Sequence, residues 1–66
     1  AKAFSEHDCV VLVSDLVENG VKFAAGTMGV VVSVYQGGKG YEVELEPPAG
    51  TPVVATLFAH QIQPVS

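Results

Sequence analysis

Between Tyr41 and Glu46 the chain alternates strictly: Tyr41, Val43 and Leu45 on one parity, Glu42, Glu44 and Glu46 on the other. A strand sends successive side chains to opposite faces, so this pattern predicts a strand with an apolar inner face and carboxylates in water. Weaker versions of the pattern flank it. Met28–Tyr35 reads as a strand with Val30, Val32 and Val34 on one face and Val31, Ser33 and Tyr35 on the other. Pro52–Phe58 reads as another, with Val53, Ala55 and Leu57 opposed to Val54, Thr56 and Phe58. Cys9–Ser14 supplies a first strand and Gln63–Val65 a short last one beside it. Gln36–Gly40 and Pro47–Gly50 carry the residues of tight turns, and Ala59–Ile62 has the length of one 3₁₀ turn. Asp15–Gly26 lacks sustained alternation and reads as an irregular loop, anchored by Val21 and Phe23.

Five short strands, a long early loop and a turn before the last strand predict an all-β fold, a small, partly open five-stranded barrel of the SH3-like type. The 66 residues suffice for a single domain, 1–66, and a domain of that size buries only about 60% of the surface its unfolded chain exposes. One cysteine, Cys9, closes no internal disulfide, and inside an apolar strand it is expected to be a small, unreactive core residue. Stability therefore has to come from packing, aided by self-association.

Composition sharpens this picture. Hydrophobic residues make up 48% of the chain and charged residues 15%, more apolar surface than one small core can hide. No apolar run reaches the roughly 20 residues of a membrane-spanning helix, and "AKAFSEHD" lacks the pattern of a signal peptide, so a soluble, cytoplasmic product is expected, with no membrane partner. The net charge is −4, with Lys2, Lys22 and Lys39 as the only basic residues besides two histidines. Nucleic acid is not the expected partner, because phosphate binding draws its affinity from lysine and arginine.

Little of the chain carries reaction chemistry. His7 and His60 have no third metal ligand at suitable spacing, and Gly26 and Gly29 precede no helix and no phosphate-binding lysine. No nucleophile–base pair is visible, so no enzyme activity, cofactor or metal is expected. The row Glu42, Glu44 and Glu46 is the conspicuous group. Carboxylates about 7 Å apart on one strand face repel weakly in water and build a local negative potential. Such a row is either a solvated face or a docking stripe. Val31, Tyr35, Val54 and Phe58 on the neighbouring strands are expected to give it an apolar centre.

The segments "AAGTMGVVVSVY", "GYEVELE" and "TLFAHQIQPVS" resemble a family of small bacterial proteins described as a domain of unknown function, over Asp8 to Val65. More distantly they resemble the SH3-like barrels of photosystem I reaction-centre subunit IV, the ferredoxin-thioredoxin reductase variable chain and the nitrile hydratase β-subunit. That resemblance implies an accessory protein that docks on a larger partner. The basic loop residues with which the photosystem and reductase barrels contact partners have no counterpart here.

The leading expectation is a non-catalytic module that binds a protein, either a second copy or a basic partner such as one encoded nearby in a mobile gene cassette. Two other readings accompany it. One is a nucleic-acid-binding barrel, since the strand–loop–glycine–strand pattern is similar to KOW-type barrels. The other is an accessory lobe of a larger enzyme.

Overall fold

The β-branched and aromatic runs form strands because their side chains pack well on a pleated surface. The computed structural model of the chain describes residues 3–47 and 49–65. The strands are β1 (Cys9–Leu12), β2 (Leu16–Glu18), β3 (Val21–Phe23), β4 (Met28–Tyr35), β5 (Gly40–Leu45), β6 (Val53–Leu57) and β7 (Ile62–Pro64), with a 3₁₀ turn at Ala59–Gln61 before the last. Five of them make one antiparallel sheet in the order β6-β5-β4-β1-β7, and β2 and β3 form a separate two-stranded sheet. The all-β class, the 3₁₀ turn and the last strand beside the first agree with the sequence pattern. The sheet is open, with β6 and β7 as its two edges, and is not closed into a barrel. The expected turn at Pro47–Gly50 includes Pro48, which lies outside the described residues.

The inward faces of the strands supply one core: Phe4, Val10, Leu12, Phe23, Val31, Tyr41, Val43, Leu45, Ala55, Leu57 and Ile62. No charged or polar side chain is buried with them among the described residues. Tyr41, only 1% exposed, sits edge-on to Phe4 with ring centroids 5.4 Å apart at 89°. Its hydroxyl accepts the Phe4 amide at 3.2 Å, so a buried polar tip is satisfied while the segment before β1 is pinned to the core.

β4 departs from simple alternation. Val31 lies opposite Val43 and Ser33 opposite Glu42, so β4 has one residue more than β5 between these pairs. This β-bulge shifts the phase by one position. Gly29 and Val31 face inward before it, Val34 (opposite Tyr41) faces inward after it, and Val32 is left exposed. The segment before β1 serves the bulge's backbone: the His7 amide donates to the Val31 carbonyl at 2.6 Å, and the Val31 amide donates to the Asp8 carbonyl at 2.9 Å.

The segment expected to be an irregular loop is a β-hairpin. Its turn is Asn19–Gly20, with φ of 58° and 74°, the left-handed pair that a tight two-residue hairpin turn requires. Three-residue strands are too short for alternation to show, which is why the period misled where the Asn-Gly pair was informative. Phe23 is buried and Val21 packs against the core, so the two expected anchors hold the hairpin down. At its base Asp15 accepts the Ala25 amide at 2.9 Å, and Gly26 and Leu12 join the two ends by Gly26 N–H to Leu12 O at 2.8 Å.

Of the glycines, Gly29 has the closest neighbours. A Cβ there would stand 2.8 Å from the Glu44 carbonyl and 2.8 Å from a Val43 methyl. Neither atom has room to move in a packed ladder. Gly29→Ala is expected to cost about 1–3 kcal/mol of stability, the usual penalty for overpacking. Urea denaturation compared with the native chain measures it, and an unchanged midpoint would contradict the packing described.

Candidate functional site

The register of the sheet assembles the outward side chains into rows, because directly opposed residues share a face. One row crosses from β1 to β6 through Cys9, Val30, Glu44 and Val54. Val65, whose amide donates to the Cys9 carbonyl at 3.4 Å, extends it past β7. A second row holds Gln63, Val11 and Met28, with Glu46 beside Met28 through an amide–carbonyl bond of 3.4 Å. Met28, Val32, Val54 (49% exposed) and Val65 are large apolar side chains left in water. The outer face is therefore apolar with single carboxylates set into it.

Glu42 differs from the other two glutamates. It is half-buried between Ser33 on β4 and Thr56 on β6. Its Oε2 accepts the Tyr35 hydroxyl at 2.5 Å and the Thr56 hydroxyl at 2.9 Å, which ties three strands together. The Tyr35 donation, and then that of Thr56, holds the Glu42 carboxyl below its usual range near 4.5, against a smaller upward push from desolvation. The same bond and the negative charge of Glu42 push the Tyr35 hydroxyl above its usual 10.0. The Tyr35 ring also covers Gly40, its cross-strand partner, which has no side chain of its own. Glu44 and Glu46 are exposed.

Beyond the end of β6, Phe58 is 56% exposed and stacks on His60, with ring centroids 5.9 Å apart and planes at 7°. The Phe58 amide donates to Gln61 Oε1 at 2.8 Å, which fixes the start of the 3₁₀ turn.

The residues expected at a docking surface divide accordingly. Tyr35, Val54 and Phe58 are exposed, and Glu44 and Val54 stand side by side. Val31 is not there: it is 0% exposed in the core, because the bulge reverses the parity that grouped it with Tyr35. Cys9 is also corrected, for it is exposed on the outer face opposite Val30 rather than buried. His7 and His60 are both exposed, and no three metal-binding side chains gather among the described residues. Sequence reasoning missed Thr56 as a partner of Glu42 and missed Met28, Val30 and Val32 on the outer face. Thr56 was findable by counting across the β5–β6 turn; Val30 and Val32 were not, because valines occupy both faces of β4.

The bound state of Glu42 fixes a pH dependence. A carboxyl whose folded pKa is depressed contributes stability that is complete above the ordinary value and is lost as pH falls through the folded one. Tyr35 contributes in the opposite direction, up to pH 10 and then declining as pH rises through its raised value. Glu42→Gln is expected to be less stable than the native chain at pH 6–8, with the gap closing as the native chain is acidified below about pH 4. Thermal denaturation across this range checks it; no gap would show that Glu42 is merely solvated, and a gap independent of pH would show that its charge does not stabilise the fold.

The comparisons with known proteins bear on this geometry only through the family. No curated protein and no solved structure matches the chain. The likenesses to the photosystem, reductase and nitrile hydratase barrels remain resemblances of sequence pattern. A family profile matches residues 6–64, which spans all seven strands and both outward rows up to Pro64. The chain belongs to the family described as Domain of unknown function (DUF4926).

Proposed function

We propose that the domain is a small SH3-like interaction module without catalytic activity of its own, which binds a protein through the outer face of its sheet. The strand order supports the SH3-like reading: a meander of β4, β5 and β6, a last strand returning beside β1, and a hairpin within the first long connection. The observation that carries the docking reading is the row Cys9, Val30, Glu44 and Val54, flanked by Met28 and Val32. An apolar patch with a charged margin is the anatomy of a transient interface. Glu44, set between Val30 and Val54, and Glu46 beside Met28 give this patch its sign, so the partner surface it fits is apolar with basic residues to meet them.

Glu42 has no part in the recognition stripe. Its carboxylate oxygen is occupied by Tyr35 and Thr56, and changing it would disturb the sheet that presents the face. The test therefore uses Glu44→Lys with Glu46→Lys, and separately Val54→Asp with Met28→Asp. Capture of a partner from native cell extract is expected to fail with the second pair. With the first it is expected to weaken by tenfold or more, as roughly expected for reversal of rim charges facing a basic partner. Capture unchanged by both pairs, or none by the native chain, would overturn the reading.

A further inference from the structure

β6 is an edge strand whose regular ladder to β5 runs from Val53 to Leu57 without a bulge. Natural sheets guard such edges with charges, prolines or bulges, since an unpaired row of N–H and C=O groups is a template for another strand. This edge is unguarded. From Thr51 to Phe58 the chain has no charged residue, and Pro52 precedes the strand rather than interrupting it.

The backbone phase shows which groups are free. The Glu46 amide points to β4, donating to Met28, and backbone groups alternate sides along an antiparallel strand. Tyr41, Val43 and Leu45 therefore turn theirs toward β6, and their partners Leu57, Ala55 and Val53 turn theirs toward β5. Val54 and Thr56 are left directing N–H and C=O groups to the open side. Phe58 is next in that phase, but its amide is already taken by Gln61. Pro52, at the other end, has no amide hydrogen.

We infer that β6 pairs antiparallel with β6 of a second copy of this chain, about a two-fold axis at Ala55. In this register Val54 meets Thr56 of the second copy and Thr56 meets its Val54, each pair exchanging two hydrogen bonds, so all four free donors find acceptors. Phe58 falls opposite Pro52 of the second copy, an apolar contact at each end where neither backbone offers a free donor. The ladder is thus self-complementary and self-terminating, as an isologous dimer requires. The charge of −4 on each copy does not forbid it. The nearest carboxylates, on β5, are three strand spacings from their counterparts, about 14 Å, beyond the Debye length of about 8 Å at physiological salt. The seam shares Val54 with the outer face but not Glu44, Glu46 or Met28, so variants at those residues tell it apart from docking on the face.

A seam this short buries less than a standard interface, so association is expected between about 1 μM and 1 mM. Sedimentation velocity of the native chain from 10 μM upward, to about 1 mM, tests it. The predicted result is a monomer–dimer equilibrium that strengthens with salt, accompanied by amide-exchange protection of Val54 and Thr56 that grows with concentration. Val54→Pro removes one edge donor per copy at a position whose N–H is unpaired in the monomer, and is expected to weaken the dimer by roughly tenfold or more. Val54→Lys, an edge guard, gives the same loss should the proline variant not fold. Glu44→Lys with Glu46→Lys leaves the dimer intact, which separates this seam from docking on the face. A monomer at every concentration, or a dimer unaffected by the edge variant that folds, would overturn the inference.

Discussion

The surplus residue in β4, between the pairs Val31–Val43 and Ser33–Glu42, sets the phase of every side chain from Ser33 to Tyr35. Before it, odd positions face the core; after it, Val34 does. Without that shift Ser33 and Tyr35 would share the inward face of Val31, and Val34 would join Val30 outside. With it, Val31 and Val34 both reach the core, Ser33 stands beside Glu42, and Tyr35 swings over Gly40 to reach the Glu42 carboxylate. The inward turn of Val34 and the Tyr35–Glu42–Thr56 cluster follow from this one insertion, and the segment at His7 and Asp8 is bonded to Val31 beside it.

The second constraint is volume. Eleven side chains among the described residues fill the core, and a chain nearly half hydrophobic has many left over. Part of the surplus, Met28, Val32, Val54 and Val65, lies on the sheet's exterior, Val17 stands exposed on the β2–β3 hairpin, and β6 also keeps its backbone unpaired on one side. A sheet with an apolar face and an uncharged edge is a poor solute by itself but a good partner. The three glutamates answer that in two ways. Glu42 spends its charge on hydrogen bonds that clamp β4, β5 and β6, whereas Glu44 and Glu46 hold the surrounding surface in water and give it a sign.

Where alternation was long and clean, the sequence was easily read. β5 and β6 face as their patterns require, β4 has the expected limits, and the 3₁₀ turn sits within the expected segment. The failures have specific causes. The β2–β3 hairpin was hidden by strands of three residues, although Asn19–Gly20 announced it. Val31 was misplaced because a bulge inserts a residue with no change in composition, in a run where every alternative is also valine. Cys9 was expected inside because its strand is apolar, but β1 shares its outward face with Val30 and Val11 and exposes the thiol there. Hydrophobicity alone cannot assign a face when both faces are hydrophobic.

The decisive measurement is the solvent exposure of individual valine methyl groups, read by NMR as line broadening from a soluble paramagnetic chelate. The bulge requires Val34 to be shielded together with Val31 and Val43, and strong broadening at Val32 and Val54. Broadening at Val34 equal to that at Val32, with Val31 protected, would contradict the phase shift that turns Val34 inward and brings Tyr35 to Glu42.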